Sequence, residues 1–268
     1  MKKILVNIIE ITLKNLVKVF YKFNFGRALI DIFLKNIYLK NKTIDHNNIK
    51  LNFYTPNRLT FWRVKTFSSK EPATLSWIEN FNKDSVFFDV GANVGLYSCY
   101  AAKLKKCKVY AFEPSIFNLE ILGKNIFLNK LKDNVTIVSM PLTDQTKEEN
   151  FNMTSTEWGS AISSFGENYK HDGSNLNEIF NYKTLGLSID QMISIFKIKQ
   201  PDYIKIDVDG IEHLILNGAI STLKNVKEIL IEIDNKFQTQ EEETKNLLKR
   251  SGFKLSEKKV SEQIWKKL

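Results

Sequence analysis

The sequence predicts an α/β protein, a doubly wound and mostly parallel sheet with an N-terminal helical extension and a β-hairpin. Three observations carry this. From residue 86 onward, short apolar runs alternate with longer stretches of helical periodicity, the pattern of parallel strands joined by crossover helices. Several of these runs stop on a carboxylate, at Asp89, Glu113, Asp207 and Glu232–Asp234. The 268 residues, 43% of them hydrophobic, suffice for one large domain plus a modest extension.

Taken in order, Ile4, Leu5, Ile8, Ile9, Leu13, Leu16, Val17 and Phe20 share one helix face. A second helix over 27–40 gathers Leu29, Ile30, Phe33, Ile37 and Tyr38. Asn7, Glu10 and Lys14 interrupt the first run and no small-residue cleavage site follows, so it reads neither as a signal peptide nor as the ~18-residue apolar run of a membrane span. A helical cap on the main domain is expected. The alternative is a basic amphipathic helix, residues 1–22, in peripheral contact with an anionic membrane. IKLNFYTP and LTFWRVKTF alternate like two strands joined at Pro56-Asn57, a hairpin. The extension is thus expected over 1–70 and the main domain over 71–268.

That domain opens with a short helix over 72–82 and strand VFFDV. Helix 94–105, strand KVYAFE, helix 115–129 and strand VTIVSM follow. An irregular stretch, 143–183, is a candidate substrate lid. Trp158-Gly159-Ser160 within it are candidate neighbours of cofactor or acceptor. Helix 188–196, strand YIKID, helix 211–223, strand EILIEID and helix 240–251 come next, and GFKLSE and QIWKKL are expected to pair antiparallel at one edge.

The net charge of +9 is uneven: residues 1–50 carry +7 and 236–268 carry +4, which leaves 51–235 at −2. A slightly acidic catalytic region argues against a nucleic-acid substrate. Cys99 and Cys107 are too few for a disulfide framework or metal cluster and fit a reducing cytoplasm. Both read as packing residues.

Ligands of a doubly wound sheet bind beyond the carboxyl ends of its strands. At the end of the first strand, Gly91 permits close backbone approach, Asn93 tolerates a left-handed conformation, and Gly95 seats the next helix tightly. Asp89 closes that strand. Glu113, at the tip of the neighbouring one, suits two ribose hydroxyls, so the unit points to an adenosine-containing cofactor. The turn lacks the middle glycine of G-x-G-x-x-G that admits a pyrophosphate, which favours S-adenosylmethionine over NAD.

DVGANVGLYS, AFEPS, LSIDQM and above all YIKIDVDGIEHLILNGA resemble the FkbM family of S-adenosylmethionine-dependent methyltransferases, as does EPATLSWI before the first strand. The resemblance covers about 71–234. It implies a seven-stranded Rossmann-like class I methyltransferase fold and O-methylation of sugar or natural-product hydroxyls. It also implies an adenine contact at Asp144, although MPLTD replaces the usual alanine-led turn there, and Asp209 stands where Glu is commoner. The chain has neither the Asp/Asn/Ser-Pro-Pro-aromatic motif of amino methyltransferases nor a Pro-Cys nucleophile, so a hydroxyl oxygen remains as acceptor. Asp207, Asp209 and Glu212 are the candidate general bases. His213 is a further candidate, and His171 lies in the lid stretch.

Asp207 and Asp234-Asn235 also match the residue types with which catechol O-methyltransferases hold a divalent ion, but the FkbM signature includes no metal and none is assigned. The acceptor is expected to be a hydroxyl-bearing small molecule, glycan or lipid, and the location cytoplasmic or peripheral at the inner membrane face. The competing readings are a non-catalytic carbohydrate-binding or scaffold protein that keeps the fold, and an NAD-dependent enzyme.

Overall fold

Asn47 and Asn48 both take positive φ (49° and 63°), the backbone of a two-residue hairpin turn that matches strand twist and that asparagine tolerates. They join β1 (Asn41–His46) to β2 (Ile49–Tyr54). The hairpin therefore lies earlier in the chain than the sequence pattern suggested, and the second expected strand is instead α3 (Arg58–Lys65). The local signal is a capping box. The Asn57 side chain accepts from the Thr60 amide (2.9 Å), and the Thr60 hydroxyl faces the Asn57 amide (3.4 Å).

This structure, a computed structural model, describes residues 2–268; Met1, the first residue of the expected membrane-contact segment, lies outside the described residues. The chain divides into two units, 1–41 and 42–268. The smaller unit holds α1 (Lys2–Phe20) and α2 (Asn24–Tyr38). The division falls at residue 41, inside the extension expected over 1–70. Residues 42–70 belong to the larger unit because β2 buries Leu51 and Phe53 in its core.

In the larger unit, α4 (Phe67–Lys70) and α5 (Pro72–Glu79) lead into the main sheet. There follow β3 (Val86–Val90), α6 (Leu96–Lys105), β4 (Lys108–Phe112), α7 (Ile116–Leu128) and β5 (Val135–Val138). The stretch expected to be irregular forms a three-stranded antiparallel sheet of β6 (Lys147–Met153), β7 (Ser163–Phe165) and β8 (Phe180–Gly186). Its polar alternation, as in KEENFNM, hides a strand that buries only its last three residues. Then come α8 (Ile189–Phe196), β9 (Tyr203–Ile206), α9 (Glu212–Asn217), β10 (Glu228–Glu232), α10 (Gln238–Arg250), β11 (Phe253–Lys259) and β12 (Glu262–Lys267).

The main sheet is a doubly wound, mostly parallel one of seven strands, ordered β11-β12-β10-β9-β3-β4-β5. β3 pairs in parallel with both β4 and β9, while β12 lies antiparallel between β10 and β11. Side chains of successive strand residues point to opposite faces. Phe87, Val109 and Leu230 therefore join one core cluster with α6 and α7, and Phe88, Ile204 and Ile229 join another with α8 and α9. The chain leaves β3 on one side for β4 and returns to its other side as β9. Ligands bind at such a switch point.

Candidate active site

A cavity of about 410 Å³ opens there, beyond the carboxyl ends of β3, β4, β9 and β10. Gly91, Asn93, Glu113, Asp207, Asp209 and Glu212 all line it. Asp89, Gly95 and Asp144 do not. Asp89 is buried beneath the turn and accepts from the Ser98 hydroxyl at 2.5 Å, tying β3 to α6. Gly95 (φ 77°) starts α6, and a Cβ there would overlap Leu122. Asp144 pairs instead with Lys147 (3.5 Å), and Met140, Pro141 and Leu142 line the wall where it was expected.

Gly91 (φ 84°) has a task other than ligand clearance. A Cβ there would overlap the Asp207 carbonyl oxygen, so the glycine lets the β3 turn and the β9 end pass each other. Asn93, also left-handed (φ 51°), donates its amide to Glu113 Oε2 (2.7 Å). Glu113 Oε1 accepts from the Ser115 amide (2.9 Å). Burial pushes the Glu113 carboxyl up to about 7, against these bonds, which favour its charge.

Ser160 lines the cavity, and the segment 158–160 is held from four directions. Asn57 donates to the Trp158 carbonyl (3.0 Å), and Arg63 Nε to that of Gly159 (2.6 Å). Asn93 and Asn118 both donate to the carbonyl of Ser160 (2.7 and 3.0 Å). Phe112, Met140, Leu142, Phe151 and Phe165 supply an apolar part of the lining.

On the other side of β3 from Glu113 sit the carboxylates after β9. Asp209 is left-handed (φ 64°) and its Oδ2 accepts from the Ile162 amide (2.7 Å), which fastens β7 over the cavity. Burial, then the neighbouring charge of Asp207, push its carboxyl up. Glu212 is fully enclosed. It accepts from the amides of Val208 (3.1 Å) and Gly210 (3.1 Å) and from the Gln240 side chain, and burial pushes it up to about 7. Glu212 therefore pins the loop between β9 and α9.

Asp207 is different. Its side chain remains 26% exposed, and Lys205 Nζ lies 2.5 Å from its Oδ2. Burial works hardest against its charge, yet Lys205 and a hydrogen bond from Glu232 prevail and hold it well below the usual carboxylate range. Glu232 shows the converse: the Asp207 charge and burial push its carboxyl far up. Ser261 donates to Glu232 Oε1 (2.7 Å). Lys205 is almost wholly buried, and the combined charges of Asp207, Glu71 and Asp89 outweigh that burial and keep it an ammonium. Its ammonium also lies 5.4 Å from the centre of the Tyr97 ring.

Lys205, Arg63 and Asn118 lie outside the residues the sequence singles out, and Glu232 is read there only as part of the acidic end of its strand. Only for Lys205 and Glu232 was there a signal, a lysine two residues before the strand-end aspartate and a carboxylate at the next strand's tip. His171 lines the cavity and lies 3.8 Å from Asp234, whereas His213 lies outside the lining.

Residues 89–255 match the family described as the methyltransferase FkbM domain. The chain belongs to the FkbM methyltransferase family. Among curated relatives, it is 25% identical over 172 residues to the hexuronic acid methyltransferase AglP of Haloferax volcanii, a match over 64% of this chain and 65% of AglP. It is 28% identical over 206 residues to the AMB antimetabolite synthetase AmbE of Pseudomonas aeruginosa, over 65% of this chain and 10% of AmbE. The match thus spans just under two thirds of AglP and a small part of AmbE. The crystal structure of a methyltransferase FkbM from Methylobacillus flagellatus KT superimposes with a TM-score of 0.50 at 15% identity, over 70% of this chain and 44% of that one. This is a likeness of fold. Among the described residues of our FkbM-family chain, no helix is long and apolar enough to cross a membrane.

Proposed function

We propose that this chain is an S-adenosylmethionine-dependent O-methyltransferase acting on a hydroxyl of a sugar, glycan, lipid or natural product. The observation that carries this reading is Asp207, an ionised and partly exposed carboxylate that opens onto the same cavity as Glu113. The donor set fits the cofactor. Glu113 offers a carboxylate to a ribose diol, and Phe112, Met140 and Leu142 offer an apolar slot to an adenine ring. When bound, S-adenosylmethionine supplies an electrophilic methyl group on a sulfonium.

This chain's residues then have distinct tasks. Asp207 accepts the hydrogen bond of the acceptor hydroxyl and so aims an oxygen lone pair. A carboxylate held to a low pKa is a weak base, so orientation is its larger contribution. The proton released during methyl transfer passes to the Asp207–Glu232 pair. Asp209 and Glu212, whose oxygens are taken up by backbone amides, hold the loop that carries Asp207. Lys205 keeps Asp207 ionised, and the reading assigns no metal. The buried free thiols Cys99 and Cys107 suit a reducing cytoplasm.

Arg63, Lys70 and His171 border the cavity and suit an acidic acceptor. Hexuronic acids, the class named in AglP, and glycans that carry them are therefore the acceptors to try first. The test is methyl transfer from labelled S-adenosylmethionine to such glycans and to a panel of neutral glycans and lipids, with calorimetry alongside. Binding of the cofactor and label on an ether oxygen are expected. Heat with NAD and none with S-adenosylmethionine would overturn the reading, and so would label found on nitrogen.

A further inference from the structure

The helix pair of the N-terminal unit leaves its apolar side chains open. Of residues 4–41 only Gly26 is buried, and it is buried because the chain folds back there: a Cβ at Gly26 would overlap the Phe20 carbonyl. Every other side chain is exposed or, at Phe20 and Ile30, half-buried. Ile4 is 66% exposed, Leu16 50%, Phe25 74% and Phe33 65%. The face the sequence marks for burial is thus uncovered along both helices. Contiguous apolar area of this kind marks an interaction surface.

Charge decides what would cover it. Residues 1–41 hold eight Lys and Arg against two acidic residues. On α1 the polar residues Asn7, Glu10, Lys14 and Lys18 recur at helical spacing and form one stripe; the rest of the circumference is largely apolar. On α2, Arg27, Asp31 and Lys35 form another. A second copy of the chain would bring like charges together. A nucleic acid would meet the lysines but leave the aliphatic face in water. A surface that is apolar below and anionic above satisfies both. α1 is about 28 Å long at 1.5 Å per residue, and its charged stripe suits a helix lying in a membrane interface. Tyr21, Phe23 and Phe25 at the helix turn are the residue types that anchor at headgroup level.

We propose that α1 and α2 form a membrane-surface anchor that lies in the headgroup region of an anionic bilayer, apolar faces down and lysines towards lipid phosphate. The whole chain, mixed with vesicles of phosphatidylcholine containing a minority of phosphatidylglycerol, is expected to sediment with them at low salt and to be released by high salt. Vesicles of phosphatidylcholine alone should retain much less. Replacing Lys18 and Lys22 by Ser should weaken binding about fivefold per lysine. The pair Leu16→Asp and Phe33→Asp should abolish it while the melting temperature of the larger unit stays unchanged. Failure to sediment at low salt would overturn the proposal, as would equal binding to neutral vesicles or insensitivity to both sets of substitutions. A dimer seen by ultracentrifugation, lost in the Asp pair with no vesicle binding in either chain, would assign the surface to a second copy instead.

Discussion

Lys205 has its side chain only 2% exposed, among Asp207, Glu71 and Asp89. Removing one partner of a buried pair strands the other's charge, so Lys205→Met should cost about 3–5 kcal/mol in denaturant unfolding. In the fraction that folds, Asp207 loses the ammonium that lowers its pKa. The acid limb of kcat/KM should therefore move to higher pH, and Lys205→Arg should move it back. An acid limb that stays put in folded Lys205→Met would show that Asp207 owes its charge to something else. Because the ammonium supplies the cation, turnover is expected to persist after exhaustive chelation. Loss in chelator with recovery on Mg²⁺ or Mn²⁺ would assign an ion to Asp207 and Asp234. At the other end, Glu113→Gln removes a charged acceptor and should weaken S-adenosylmethionine binding by about 1.5–3 kcal/mol, read by calorimetry. An unchanged dissociation constant would take Glu113 out of the site.

Single side chains also decide how the elements join. Asn125 is fully buried on α7. Its Oδ1 accepts from the Tyr54 amide of β2 (2.7 Å), and its Nδ2 donates to the Val94 carbonyl of the glycine turn (2.7 Å). This binds the hairpin to the glycine turn after β3. Asn125→Ala leaves a donor and an acceptor unpaired and should cost about 1–3 kcal/mol for each, measured as a shift in urea midpoint at constant slope. A cost within about 0.5 kcal/mol, the scale of an ordinary surface change, would show the tie to be dispensable. Gly91 teaches a related lesson. A larger residue there collides with the Asp207 carbonyl, so Gly91→Val is expected to disturb the crossing of β3 and β9 as well as the cavity.

For the molecule as a whole, Glu113 and Glu212 couple stability to pH. Both are buried and both titrate near pH 7 in the folded chain, well above the ~4.3 of an unfolded glutamate. Between these values the folded chain binds more protons than the unfolded one, so their contribution to stability falls as pH rises, by up to about 1.4 kcal/mol per pH unit for each group. The ligand-free protein should therefore melt at a lower temperature at pH 8 than at pH 6. Cofactor hydroxyls that donate to ionised Glu113 act in the opposite sense. The rise in melting temperature on adding S-adenosylmethionine should be larger at pH 8 than at pH 6. A shift that shrinks as pH rises would contradict the placement of the ribose on Glu113.

Much of this was legible in the chain itself. The alternation from Val86 to Leu268, the glycine turn after Asp89 and the YIKIDVDGIE stretch are local patterns. Local patterns specify strands, turns and the strand tips where a parallel sheet gathers its ligands. LTFWRVKTF alternates like a strand but folds as a helix, because the Asn57–Thr60 cap starts one there, and β6 to β8 leave little local pattern because their pairing is long-range and mostly polar. What only the tertiary structure decided is how the carboxylates divide their work. Asp89, Asp207, Asp209 and Glu212 look alike as acids at or shortly after a strand end. Asp89 meets Ser98, Asp209 the Ile162 amide, and Glu212 the amides of Val208 and Gly210. Asp207 alone of the four meets a buried lysine while facing the cavity. Ionisation and exposure are set by neighbours far away in sequence, and these are positioned only when the chain has folded.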